Sequence, residues 1–384
     1  LQQNLDSRMR LERGGSMTVV PIKERAAVLE PERSTAALMK ALVYGGPGKR
    51  AWEDRPRPVL LDASDALVRI TTTTICGTDL HILKGDVPTV TEGRILGHEG
   101  VGVIEEVGAA VSSFRKGDRV VVSCITSCGD CPPCRKAMYS HCRTGGWRLG
   151  HTIDGTQAEF VRIPHADASL HRAPEGIEEE ALVMLSDVLP TGFEVGVLNG
   201  RVGPGDTVAI VGAGAIGLAA LLTAQLYSPS EVIVVDVDEH RLLTASAFGA
   251  TRVVNSSDGL AAAAVLDLTG GVGVDVAIEA VGLAATFDLC QSIVAPGGRI
   301  ANVGVHGKPV LLHLETLWSQ NVTLTTGLVD TSSTPLLLRM AQSGKLQPGR
   351  LVTHRFPLGE TMAAYDAFAN AGQEKALKVV LQNA

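Results

Sequence analysis

Thr207-Val-Ala-Ile-Val-Gly-Ala-Gly-Ala-Ile-Gly217 runs from a β-branched stretch through a glycine turn into the apolar segment Leu218–Leu226. A second β-branched stretch, Val232–Val235, follows and ends at Asp236, 19 residues beyond Gly217. The order strand, turn, helix, strand predicts a βαβ unit carrying G-x-G-x-x-G in the context that a dinucleotide needs. Gly212 makes the tight turn, Gly214 lets the backbone approach a pyrophosphate, and Gly217 allows close helix–strand packing. Ala215 and Ile216 fall in the first helical turn, whose free N–H groups and positive dipole end attract phosphate. Asp236 is placed to accept hydrogen bonds from the adenosine ribose and to repel a 2′-phosphate, which favours NAD over NADP. Asp238 and Glu239 add to that bias, and Arg241 lies close enough to join the same site. A Gly-rich turn in an unrelated βαβ unit is the bland alternative. The uncharged stretch Thr207–Ser230 is long enough to cross a bilayer, but its early glycines and flanking β-branched runs argue for a soluble unit.

Outward from this unit, Asp275–Glu279, Gly298–Gly304 and Val322–Thr326 read as further strands separated by helical segments. That alternation predicts a doubly wound parallel sheet, hence an α/β fold. The N-terminal part differs: short β-branched runs at Ala66–Thr74, Gly102–Val107 and Arg119–Val122 stand between Gly/Pro/Asp turns and predict a β-rich domain. Residues 1–38 mix six basic with five acidic residues and carry no secretory or transit pattern. They are expected to be a poorly ordered extension, with Met39 as the natural start.

The 384 residues carry a formal charge of −7 and 45% hydrophobic residues, enough for a large core. A mildly acidic chain without a Lys/Arg-rich block disfavours nucleic acid as a partner. Aromatic residues at 4% disfavour a protein built on stacking platforms.

Five of the seven cysteines fall within Cys124–Cys142. Cys128-x2-Cys131-x2-Cys134-x7-Cys142 has the spacing to close four thiolates around one structural Zn²⁺, with Gly129, Pro132 and Pro133 making the turns. A redox C-x-x-C at Cys131 and Cys134 is the alternative, but it would not need Cys128 and Cys142. Cys124 and Cys290 read as buried small hydrophobes.

Cys76 and His98 are both good Zn²⁺ ligands, in Ile75-Cys-Gly-Thr-Asp-Leu-His81 and Gly97-His-Glu-Gly100. Their spacing alone does not show that they meet. These two motifs, the four-cysteine lobe, Pro190-Thr-Gly-Phe-Glu-Val-Gly196 and Gly212–Gly217 occur in one order, and that order resembles the zinc-dependent medium-chain alcohol dehydrogenases from about Met39 to the C-terminus. Within them the chain looks most like the bacterial and archaeal secondary-alcohol branch.

The resemblance implies a Rossmann domain at 190–330 and a β-rich GroES-like catalytic domain, with a structural zinc lobe, at 39–189 and 331–384. It implies two zinc ions per chain, with Cys76, His98 and Asp187 on the catalytic one. Two protein ligands would be too few for a tight site, and an unpaired Asp187 in its apolar run would be costly. A helix N-cap is the other reading of Asp187. Glu99 would stand beside the metal, and Asp79 would orient His98. Thr78 and His81 would relay the alcohol proton, while hydride passes to the nicotinamide of NAD. Thr191 would pack on the nicotinamide, Val303 and Val305 would approach its carboxamide, and Lys378 would contact the pyrophosphate. Trp147 and Leu328 would line a pocket for small alcohols and ketones, although Trp147 also reads as an ordinary half-buried aromatic. The resemblance further implies a homotetramer, while the lack of a signal peptide leads to the expectation of a reducing, cytoplasmic compartment without a membrane partner. Formaldehyde, a polyol or an amino alcohol as substrate, and a catalytically silent NAD sensor, are the alternatives.

Overall fold

The computed structural model describes residues 37–383, so the expected N-terminal extension lies outside the described residues except at its end. There the first strand, β1 (Leu38–Tyr44), begins one residue ahead of Met39 and pairs antiparallel with β2 (Arg50–Pro56).

The quoted stretch forms β8 (Thr207–Val211), the glycine turn and the helix Ala215–Ala224. With β9 (Glu231–Asp236), β10 (Arg252–Asn255), β11 (Val274–Glu279), β12 (Val294–Asn302) and β13 (Thr323–Thr326) it builds a six-stranded sheet in the order β10-β9-β8-β11-β12-β13. All its pairs are parallel. This is the doubly wound order, in which the chain reverses direction across the sheet after the first three strands, leaving a crevice at the carboxyl ends of β8 and β11. Val208, Ala209 and Ile210 are fully buried, as a strand covered by helices on both faces must be.

A second sheet runs β14-β15-β3-β4-β5-β7, from β3 (Ala66–Ile75), β4 (Gly100–Val107), β5 (Arg119–Val122), β7 (Leu170–Arg172), β14 (Val352–Pro357) and β15 (Lys378–Gln382). The short β6 (Phe160–Ile163) also pairs with β3. All these pairs are antiparallel except β14 with β15, and β15 brings the C-terminal end of the chain back to β3. β3 is buried almost throughout. Its threonines suit the pleat, and two of them bond inward: Thr73 Oγ1 donates to the Glu99 carbonyl at 2.7 Å and Thr72 Oγ1 to Glu179 at 2.8 Å, whereas the buried Thr74 hydroxyl has no partner among the described residues.

One apolar cluster runs from Val101 and Val121 through Leu182–Leu185 and Val188 to Val208 and Ile210, so the segment around Asp187 is packed between the two sheets. Gly192 is held there by proximity: a Cβ on it would stand 2.7 Å from the Ala220 backbone nitrogen. Among the described residues no helix is long and apolar enough to cross a membrane.

Candidate functional site

Three chain segments converge where β3 ends. Cys76 follows β3 and opens the helix Gly77–Lys84, with its N–H donating to Asp79 Oδ2 at 2.9 Å. His98 and Glu99 lie just before β4. Gly97 ahead of them has φ +92°, and a Cβ there would strike Gln157 and Thr156. Asp187 occupies the N-cap position of the short helix Val188–Thr191, but its carboxylate makes no cap bond and is left free for other partners.

The donor atoms of Cys76, His98, Glu99 and Asp187 all lie within 4.8 Å of one another. His98 Nε2 is 3.4 Å, and Cys76 Sγ 3.9 Å, from Asp187 Oδ2. Glu99 is 1% exposed and its Oε1 has no partner, and Asp79 Oδ1 is likewise buried and unpartnered. A thiol, an imidazole and carboxylates closing on one dry point with an unsatisfied oxygen fit a divalent zinc ion, because so many buried anionic donors need a cation.

The same crowding moves the ionisable groups. Burial pushes Glu99 up to about 7, with Lys378 opposing and Asp187 reinforcing the rise. Burial works against protonated His98, but hydrogen bonds to Asp187 and Cys76 hold its pKa well above the ordinary value. Burial raises Asp187 too, yet the bond and charge of His98 win and keep it well below the usual carboxylate range.

The four-cysteine lobe closes as the spacing predicts. Sγ of Cys131 lies 3.4 Å from that of Cys134 and 3.9 Å from that of Cys142, and Cys128 lies 4.0 Å from Cys134. Gly129 takes φ +74° in the turn. The Cys131 N–H donates to Cys128 Sγ and the Cys128 N–H to Cys142 Sγ. Burial opposes ionisation of Cys128, but N–H donors from Asp130 and Cys131 bring it down to about 6; burial and Cys131 push Cys134 up to about 12. Four converging sulfurs suit a closed structural zinc site better than a two-cysteine redox pair.

In the crevice, Gly212 has φ +107°. A Cβ on Gly217 would stand 1.8 Å from the Gly212 carbonyl oxygen, while one on Gly214 would meet nothing within 4 Å. The turn is therefore closed on its packing side and open where a pyrophosphate would lie. Asp236 is tied to it: Oδ2 accepts the Ala213 N–H at 2.6 Å and Oδ1 the Asp238 N–H at 2.9 Å. Arg241 lies in the first turn of the helix Glu239–Ala247, where its N–H donates to Asp238, and its guanidinium has no ion-pair partner among the described residues.

Among the remaining expected residues, Asp79 alone departs from the protein partner that the resemblance suggested. Lys378 is 2% exposed and bonds Glu99 Oε2 at 2.5 Å, beside the metal-type cluster rather than free for a phosphate. Thr191 Oγ1 donates to Asp187 Oδ1 at 2.7 Å. Asp79 is bonded to Cys76 and Gln157 rather than to His98, because its carboxylate caps the helix after Cys76. Thr78 Oγ1 is 3.7 Å from Cys76 Sγ, and His81 stands in the open with Nδ1 2.8 Å from Asp86. Val303 is buried and Val305 is 74% exposed. Trp147 sets its ring edgewise to His98 at 6.3 Å and stacks on His151, while Leu328 is half exposed.

Two residues were missed by sequence reasoning. Cys124, read as a small hydrophobe, has Sγ 3.3 Å from Asp187 Oδ1. Glu194 accepts backbone N–H groups from Asp330, Thr331 and Ser333, and so anchors the return of the chain. A lone acid within the largely apolar run Pro190–Gly196 was the available signal for it.

Two family profiles match the chain: the alcohol dehydrogenase GroES-like domain over residues 62–175 and the zinc-binding dehydrogenase over residues 215–343. An alcohol dehydrogenase of Cupriavidus necator is 38% identical over 374 residues, covering 90% of this chain and 99% of its own. An NADP-dependent isopropanol dehydrogenase of Thermoanaerobacter brockii is 33% identical, covering 83% of this chain and 92% of its own. Among solved structures, the apo form of zinc dependent alcohol dehydrogenase 2 from Streptococcus pneumonia has a TM-score of 0.87 at 55% identity, covering 90% of this chain and 98% of that one. Similarity of that extent, over a chain that brings Cys76, His98 and Asp187 together beside a doubly wound sheet, places it plainly: it belongs to the zinc-dependent medium-chain alcohol dehydrogenases.

Proposed function

We propose that this alcohol dehydrogenase transfers hydride between a small, preferentially secondary, alcohol and NAD, releasing the ketone or aldehyde. The observation that carries the reading is the convergence of Cys76, His98 and Asp187 on one point within 4.8 Å. Those three residues hold the catalytic zinc, and Cys128, Cys131, Cys134 and Cys142 hold the structural one. Bound zinc supplies Lewis acidity to the alcohol hydroxyl, and NAD supplies the hydride acceptor. Glu99, paired with Lys378, balances charge behind the ligands. Thr78 passes the hydroxyl proton outward, and His81, exposed beside Asp86, delivers it to solvent.

In this reading residues 39–189 and 331–384 form the catalytic domain and 190–330 the cofactor domain. Gly214, Ala215 and Ile216 meet the pyrophosphate on the turn that Gly212 and Gly217 shape, and Asp236 takes the adenosine ribose. Trp147, beside His98, walls a small apolar pocket with Leu328. The family resemblance adds a homotetramer. A specific observation favours a second cofactor reading: the Arg241 guanidinium has no ion-pair partner among the described residues, and the Thermoanaerobacter relative is named NADP-dependent.

Initial rates with propan-2-ol, butan-2-ol, ethanol, a polyol, threonine and formaldehyde, each with NAD and NADP and with or without a zinc chelator, test the reading. Chelator-sensitive turnover highest on the secondary alcohols with NAD is expected. A polyol, threonine or formaldehyde preference keeps the chemistry and overturns the substrate class. NAD binding without turnover on any substrate favours a silent sensor.

A further inference from the structure

Asp187 turns its two carboxylate oxygens to different neighbours. Oδ2 faces Cys76 Sγ and His98 Nε2 at 3.9 and 3.4 Å. Oδ1 faces away from them, accepting from Thr191 Oγ1 at 2.7 Å and from Cys124 Sγ at 3.3 Å. Cys124 is 2% exposed, and its backbone N–H donates to the Ser186 carbonyl at 3.1 Å. Ser186 Oγ in turn accepts the Gly100 N–H and donates to the Val122 carbonyl. The backbone carrying the thiol is therefore fixed to the residue before Asp187, and that residue is fixed to the start of β4 and the end of β5. An inert core cysteine would show only apolar neighbours, whereas this one is aimed at a carboxylate. Independently, the unpartnered and buried Glu99 Oε1 in the same donor group marks a cation position on the Oδ2 side.

We propose that Cys124 is a positioning residue for the catalytic zinc: its S–H donates to Asp187 Oδ1 and, with the Thr191 hydroxyl, leaves Oδ2 as the oxygen presented to the ion. The inference rests on the reading of Asp187 as a zinc ligand. A carboxylate whose outer oxygen is free can rotate and change its mode of binding, and two donors on that oxygen hold it in one orientation. Partners of this kind govern metal affinity by roughly 10–100-fold.

The test follows zinc release from the full-length, zinc-loaded protein to a chromophoric chelator, comparing the parent with Cys124→Ala, Cys124→Ser and Asp187→Asn. The four-cysteine zinc in each protein serves as the internal control for folding. Cys124→Ala is expected to release one zinc about tenfold faster or more, with the other unchanged, while Cys124→Ser, which keeps a donor, stays within about threefold of the parent. The cobalt-substituted Cys124→Ala protein is expected to show a shifted d–d absorption. Release from Cys124→Ala at the parent rate overturns the proposal. Equal acceleration by Ala and Ser overturns it in favour of the sulfur as a direct ligand. Acceleration at both zinc sites overturns it in favour of general packing. Asp187→Asn releasing zinc no faster than the parent removes Asp187 from the ligand set, a failure visible apart from the others.

Discussion

Lys378 Nζ stands 2.5 Å from Glu99 Oε2, with both side chains at 3% exposure or less. The pair clamps the first residue of the returning strand β15 to the residue after His98, across β3. Removing one member of such a pair leaves a buried charge alone, which costs about 3–5 kcal/mol, whereas neutralising both is far milder. Lys378→Met is expected to unfold early in urea, and Lys378→Met combined with Glu99→Gln to regain much of the loss. Additive losses in that double-mutant cycle would mean that the two groups do not act as a pair.

Gly217 and Gly214 stand three residues apart and are expected to respond to alanine in opposite ways. At Gly217 the new methyl meets the Gly212 carbonyl at 1.8 Å, backbone that cannot swing aside. Gly217→Ala is expected to destabilise the protein by about 1–3 kcal/mol or more. At Gly214 the methyl meets nothing. Gly214→Ala is expected to keep stability within about 1 kcal/mol, because an N-cap glycine is replaced. It should still weaken NADH binding about tenfold, some 1.4 kcal/mol, because the methyl stands where the phosphates approach. Thermal melts with NADH titrations check both, and equal stability losses would refute the division of labour.

The parallel sheet was legible because its signals are local: β8 spans the predicted residues, Thr207–Val211, and Asp236 closes β9. The four-cysteine lobe was legible for the same reason, since all its ligands fall within 15 residues of chain. The catalytic cluster was not. Cys76 and His98 meet Asp187 across about 90 residues or more of sequence, a pairing that spacing cannot encode and that only the order of motifs suggested. Side-chain partners inside the site were least legible. Asp79 bonds Cys76 and Gln157 rather than His98, Lys378 bonds Glu99, Thr191 bonds Asp187, and Cys124, read as a small hydrophobe, turns its thiol to a carboxylate.

Cofactor choice turns on Asp236 and Arg241. Both carboxylate oxygens of Asp236 accept N–H groups, which fixes the negative charge beside the turn where an adenosine ribose would sit. A 2′-phosphate there meets that charge, although Arg241 is close by. The parent is expected to prefer NAD, and Asp236→Ser to shift the ratio of kcat/KM values toward NADP by about tenfold or more, some 1.4 kcal/mol. Arg241→Ala in the Asp236→Ser background should reverse part of that shift. An NADP preference in the parent would show that Arg241 outweighs Asp236.

His171 on β7 predicts an acid-side loss of stability distinct from the zinc ligands. Burial alone lowers its pKa from 6.5 to about 4, and its imidazole has no hydrogen-bond partner among the described residues. Between those two values the unfolded chain binds a proton that the folded chain refuses, so stability rises with pH across the window. The contribution is fully present above about pH 6.5 and lost as pH falls toward 4. It amounts to about 3 kcal/mol at most, because the ring is not completely enclosed. Replacing His171 with Phe removes the titration and keeps an apolar ring in place. The difference in melting temperature between His171→Phe and the parent, both zinc-loaded, is expected to grow in favour of the variant from pH 6.5 down to pH 4.5. A difference that stays constant over that range would show that His171 titrates alike in the folded and unfolded chains.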